Sequence, residues 1–211
     1  MLGLFIISAL AGLLGASADL LLAPYVLSFD SAQTLGWITA AVGAGFLAGD
    51  AVMSVWRGAV ARVRFFIACE MGVGLMSALI GWSDAAWLIG LAVFVYFLLI
   101  SISDATIQTV WQTKVASNFH GRVFALRDMS AIGGIVLGLL VFAPMAERVV
   151  EPLLQANGAW ANTLGRVVGT GPGRGLGFVF VAMGLLNVLV LLIGYAHPRI
   201  CRLEHELPDV K

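Results

Sequence analysis

An all-α membrane protein with six transmembrane helices is the fold class this sequence predicts, and three observations carry the prediction. Of the 211 residues, 60% are hydrophobic and 11% are charged, whereas a soluble domain carries about 25% charged residues. Mean hydropathy is +0.98. The apolar residues also fall in long uninterrupted runs separated by short charged segments, the pattern of a polytopic helical membrane protein.

Six runs reach the roughly 18 to 25 residues needed to cross a ~30 Å hydrocarbon core as a helix. The first, Leu2 to Pro24, has no basic segment before it and is too long for the apolar region of a signal peptide, so it reads as a span. The second, Gln33 to Val55, follows a short Ser28 to Thr34 connection. The third and fourth, Phe65 to Trp82 and Ala86 to Thr113, are joined through Ser83 and Asp84. Val123 to Ala143 and Gly175 to Ala196 complete the set, which forms a single domain over residues 1–211, with 197–211 as a tail. Between the last two spans lies a long connection, 144–174. Its first part sets Met145, Val149, Leu153 and Leu154 at helical spacings with Glu147, Arg148 and Glu151 between them, which predicts an interfacial amphipathic helix. Its end, Gly169-Thr170-Gly171-Pro172-Gly173-Arg174-Gly175, lacks the GxxxxGK[ST] pattern of a phosphate-binding loop and reads as an entry turn into the sixth span.

Lys and Arg are unevenly shared between the two sides of these spans. One side holds Arg57, Arg62, Arg64, Lys114, Arg122, Arg127, Arg199, Arg202 and Lys211; the other holds Arg148, Arg166 and Arg174. The cytoplasmic side normally carries the excess, so both termini are expected in the cytoplasm of a cell producing the chain in its inner or plasma membrane. Trp37, Trp56, Trp82, Trp87, Trp111 and Tyr195 fall near the expected boundaries, as an interfacial aromatic belt does.

Several functions find no support. Net charge is zero, which removes a bulk-charge argument for a nucleic-acid partner. No HExxH, GxSxG, Walker A or EF-hand pattern occurs, and His120, His197 and His205 all lie in cytoplasmic segments. Cys69 and Cys201 stand far apart without CxxC spacing. No enzyme activity, metal or cofactor is therefore expected.

Acidic residues inside apolar spans cost about 2.5 to 3.5 kcal/mol each on insertion scales and are functional candidates by default. Asp19 is the clearest, with Ser8, Gly12 and Gly15 on the same helical face. A second polar stripe, Ser101, Asp104, Gln108 and Gln112, follows helical steps along the fourth span. At 1.5 Å per residue, Asp19 and Asp104 are expected on the order of 9 Å to opposite sides of the midplane, so each is read alone as a proton-coupling or cation-binding candidate. Asp50, Glu70 and Asp128 gather near the cytoplasmic span ends with Arg57, Arg62, Arg64, Lys114, Arg122 and Arg127. A charged gate is one reading of this group; topology-setting arginines with neutralising carboxylates are the other. Gly45 and Gly49 in the second span and Gly134 and Gly138 in the fifth form GxxxG steps that allow close helix approach.

Ser28 to Trp37 (SFDSAQTLGW), Gly49 to Arg64 (GDAVMSVWRGAVARVR), Trp111 to Met129 (WQTKVASNFHGRVFALRDM) and Gly169 to Gly177 (GTGPGRGLG) resemble the C-terminal half of a major facilitator superfamily exporter of the macrolide-efflux and enterobactin-exporter-like branch. Trp-Gln-x-Lys-Val and Gly-Arg-Val-Phe-x-x-Arg are the most specific segments. The loop after the second span departs from the family pattern, with Met53-Ser54 where Asp-Arg is expected and Asp50 close by. The resemblance implies one half of the major facilitator fold, in which two six-helix halves enclose a substrate site between them. It further implies that spans one and four line the transport cavity and that spans two and five face the other half.

The expected function is secondary active efflux of an amphipathic small molecule, coupled to proton entry as an antiporter, by one half of a twelve-span transporter in the lipid bilayer. The partner half would be a separate chain, a preceding N-terminal part or a second copy. The alternative is a non-transporting membrane fragment or a scaffold anchoring a partner. Transport expects the two polar stripes to share an aqueous cavity; a scaffold expects them to pack together.

Overall fold

The computed structural model describes residues 2–56, 62–115, 119–155, 158, 160, 164–165, 169, 171 and 173–196. Among these residues every regular element is a helix. Six helices are long and apolar enough to cross a membrane: α1 Leu2–Phe29, α2 Ala32–Val55, α3 Arg62–Trp82, α4 Ala86–Lys114, α5 His120–Leu154 and α6 Arg174–Ala196. The architecture is that of a multi-pass, all-helical membrane protein. In hydrocarbon no water can satisfy backbone N–H and C=O groups, so spans made of apolar residues close their hydrogen bonds internally as helices.

The six spans coincide with the apolar runs, with longer ends. α1 continues through Pro24 to Phe29. Its end leads directly into α2 through a polar turn: Ser31 caps α2 by accepting from the Thr34 amide at 3.3 Å. Asp30 accepts from the Ser31 amide at 2.6 Å and from the Thr34 hydroxyl at 2.9 Å. Those bonds, the Ser31 amide first, hold the Asp30 carboxyl below its ordinary pKa.

The fifth span does not end at Ala143: the helix expected over Met145 to Gln155 forms as a continuation of α5. α5 runs on as α-helix to Leu137, passes through π-helical Gly138–Phe142 and Ala146–Val150, and reaches Leu154. Pro144 and Pro152 lack an N–H and crowd the preceding turn, and wider turns are one way for a helix to carry such residues onward. The extension turns Ala146, Val150 and Leu154 inward, all at most 4% exposed, while Met145 and Val149 stay outside. Packing on α6 therefore selects a face one residue away from the one that spacing alone selected.

The helices pack in the order α2, α4, α3, α6, α1, α5, with a lighter contact between α1 and α2. The closest seam joins α3 to α6, where glycines seven residues apart meet in pairs. A Cβ on Gly74 would collide with the Gly184 carbonyl, and one on Gly177 with the Gly81 carbonyl, each at 2.7 Å. Backbones this close gain dispersion contacts that bulkier side chains would prevent. Two apolar clusters fill the rest: one around Leu21, Tyr25, Val93, Tyr96 and Phe180, the other around Leu4, Phe66, Ile107, Trp111 and Leu191.

The four glycines picked out on spans two and five lie within this bundle. Gly45 and Gly49 rest on the α4 backbone at Phe94 and Leu98. Gly134 and Gly138 rest on α1 at Leu13 and Ser17. The close helix approach that their GxxxG steps allow is used inside the bundle, to hold the two outer helices on the inner four. Ser17 reinforces the α1–α5 contact by donating to the Gly134 carbonyl at 2.6 Å. What α2 and α5 leave uncovered is instead a set of large apolar side chains, including Trp37, Leu47, Met129, Ile132 and Leu140.

Candidate functional site

A cavity of about 340 Å³ lies between α1, α2, α3, α4 and α5. Its α1 wall is Ser8, Gly12, Gly15 and Asp19, the small polar face that spacing had identified. Among the described residues, nothing beyond the local α1 backbone comes within 4 Å of a Cβ placed on Gly12, so this face is open because its residues are small. Across from it stand Glu70 of α3 and Asp104 of α4, with Phe46 of α2 on one flank and Arg127, Asp128 and Ser130 of α5 on the other. The volume falls in the range of small-molecule sites, about 300 to 1,000 Å³.

Charge in this cavity is unbalanced. Among the described residues of the lining, Asp19, Glu70, Asp104 and Asp128 contribute four carboxyl groups, and Arg127 is the one guanidinium. Arg127 is ion-paired with Asp104, joining α5 to α4. That pair leaves Asp19 as the carboxyl on α1, beside the Tyr96 hydroxyl and in the field of Asp104. Asp19 and Asp104 thus share one cavity, although they stand on different helices.

Glu70 belongs to this site rather than to the cytoplasmic boundary where its position in the sequence placed it. α3 begins at Arg62, three residues before the expected start, so Glu70 sits about 12 Å along the helix at 1.5 Å per residue. It is 9% exposed and accepts a 2.5 Å hydrogen bond from Ser103 of α4. A buried carboxyl requires such a partner. The signal available in the sequence was Ser103, one residue from Asp104 on a face that the stripe reasoning passed over.

The stripe on α4 divides between three environments. Asp104 faces the cavity. Ser101 turns instead toward α2 and donates to Asp50 at 2.5 Å, so Asp50 serves as an α2–α4 contact. Gln108 and Gln112 are exposed and lie outside the cavity lining. Of the arginines read as gate candidates, Arg127 reaches the cavity, Arg122 is exposed and lies 5.9 Å from the Phe119 ring centre, and Arg64 is exposed. Arg62 is half-buried at the start of α3. Arg57 lies outside the described residues, as do the tail 197–211 and most of 156–172.

At the opposite end of the bundle, the glycine-rich turn is held by a carboxylate. Glu151 accepts from the Gly173 amide at 2.7 Å and from the Gly175 amide at 2.8 Å, at the start of α6. Amides at a helix N-terminus favour an anion, and here the chain supplies its own. Gly173 adopts φ +78°, a conformation glycine tolerates and other residues rarely adopt. Arg174 is buried and ion-paired with Asp84 of the α3–α4 connection. No family model, curated protein or solved structure matches the chain.

Proposed function

We propose that this chain is one six-helix half of a major-facilitator-type secondary transporter that exports an amphipathic small molecule against proton entry. The observation that carries the reading is the shared cavity: the small polar face of α1 ending in Asp19, and Asp104 of α4, line the same space of about 340 Å³. Ionisable groups that face a common cavity within a membrane bundle mark ion and substrate pathways. Four carboxyls against one paired arginine favour a proton or an organic cation as the charged species handled there. The scaffold reading expects the polar stripes pressed together; the α1 stripe and Asp104 instead face a common space, which favours transport.

The uncovered apolar faces of α2 and α5 flank the cavity and are the surfaces assigned to the second half, which is a separate chain, a preceding part or a second copy. The lysine and arginine asymmetry assigns both termini to the cytoplasmic side of the inner or plasma membrane. On this reading the chemistry is non-covalent, with no catalytic residue and no cofactor.

Efflux of ethidium, an amphipathic organic cation, from membrane vesicles carrying an imposed pH gradient tests the proposal. Vesicles with the wild-type chain and its partner half should move the dye when the gradient is applied. Asp19→Asn should fall to the level of empty vesicles at unchanged protein content. Undiminished efflux by Asp19→Asn contradicts the coupling role.

A further inference from the structure

We propose that the bundle holds one resident water molecule between Tyr96, Asn187 and Ser77, in a site separate from the large cavity. A small cavity of about 10 Å³ lies where α1, α3, α4 and α6 meet, lined by Gly15, Gly74, Ser77, Tyr96, Gly184 and Asn187 among others. One water requires about 10 to 15 Å³ on this measure, together with two to four polar partners. The space exists because Gly15, Gly74 and Gly184 carry no side chain, and it cannot close because the α3 and α6 backbones are already in contact there.

Two polar atoms at this cavity call for a partner. The Tyr96 hydroxyl and Asn187 Oδ1 belong to side chains 3% and 4% exposed, and among the described residues neither oxygen makes a hydrogen bond of full geometry, although the Tyr96 hydroxyl lies close to the Asp19 carboxyl. Asn187 Nδ2 donates to the Glu70 carbonyl at 3.1 Å, which fixes the carboxamide so that Oδ1 is its remaining group. Leaving either oxygen unsatisfied costs about 1–3 kcal/mol. Ser77 donates its proton to the Phe180 carbonyl at 3.2 Å and keeps lone pairs free to accept. A single water closes all three accounts: it accepts from the Tyr96 hydroxyl and donates to Asn187 Oδ1 and to Ser77 Oγ. Three bonds is the usual number for a buried water.

The site anchors the Tyr96 hydroxyl, which stands beside Asp19, on the α3–α6 seam. It is therefore a positioning element for Asp19, and it holds whether or not the chain transports anything.

Infrared spectra of the reconstituted wild-type protein, hydrated in ordinary water and in water labelled with oxygen-18, give the direct test. An O–H stretching band that shifts with the isotope, and is absent from both Tyr96→Phe and Asn187→Leu, is the expected result. Thermal unfolding supplies a second readout whose sign separates the cases. With the water present, Tyr96→Phe breaks a satisfied network and lowers the midpoint by about 2–4 °C for each 1 kcal/mol lost. With an empty cavity, it removes an unsatisfied buried hydroxyl and leaves the midpoint unchanged or raised; Asn187→Leu loses its bond to the Glu70 carbonyl in either case and is read by the spectrum alone. A raised or unchanged midpoint in Tyr96→Phe, or a wild-type spectrum without an isotope-sensitive band that depends on these residues, overturns the proposal.

Discussion

Arg127 of α5 is ion-paired with Asp104 of α4 across the large cavity, and this contact fixes the relation between a helix at the edge of the bundle and one at its centre. Both side chains are partly exposed, at 27% and 53%, so the pair is hydrated and its net contribution is that of an exposed ion pair, about 0.2–1 kcal/mol. A double-mutant cycle of Arg127→Gln and Asp104→Asn, read by unfolding in detergent, should return a coupling in that range. A coupling several times larger would place the pair in a dry interface.

Packing of the outer helices leads to a second prediction. Gly45→Ala sets a methyl group against the Phe94 carbonyl and should destabilise the protein by about 1–3 kcal/mol, as overpacking does. Gly43→Ala, on the same helix with nothing within 4 Å, should be neutral or gain up to about 1 kcal/mol of helix propensity. Thermal unfolding of the two variants checks the contrast. Equal effects would mean that α2 does not rest on α4 through Gly45.

Glu151 is the third subject. Glu151→Ala removes the acceptor of the Gly173 and Gly175 amides and should cost about 1.5–3 kcal/mol, the scale for hydrogen bonds to a charged group. Glu151→Gln keeps one carbonyl oxygen and should recover part of the loss. Hydrogen exchange at Gly175 should accelerate in the alanine variant, and unchanged protection there would show that the carboxylate does not hold the turn.

Topology gives the fourth. On the proposed orientation, with both termini in the cytoplasm, cysteines at Ser83 and Gln155 should react with an impermeant thiol reagent added outside intact cells, and one at Val55 should not. The reverse pattern would invert the orientation.

Much of the fold was legible in hydropathy, since each span is one long apolar run and the bilayer leaves the backbone little choice but helix. The end of α5 was not legible: the apolar run stops at Ala143, and only packing of Ala146, Val150 and Leu154 on α6 carries the helix through. The α1 face with Asp19 was legible because small residues and one acid recur at helical spacing. Glu70 and Asn187 were harder. Each is an isolated polar group among apolar neighbours on its helix, and its role depends on partners in other helices, Ser103 for Glu70 and the Glu70 carbonyl for Asn187. The glycine steps announced close contact without naming the helix contacted.

Transport by this bundle requires a water-accessible cavity shared by α1, α4 and α5, and thiol accessibility measures it most directly. In a Cys69→Ser, Cys201→Ser background, Gly12→Cys and Ala131→Cys place thiols in the cavity wall, while Leu139→Cys places one on the outer apolar face of α5. In membrane fragments open on both sides, the two cavity thiols should react with a charged methanethiosulfonate reagent and the Leu139→Cys thiol should stay inert. Inert thiols at both cavity positions, or equal reaction at all three, would contradict the account.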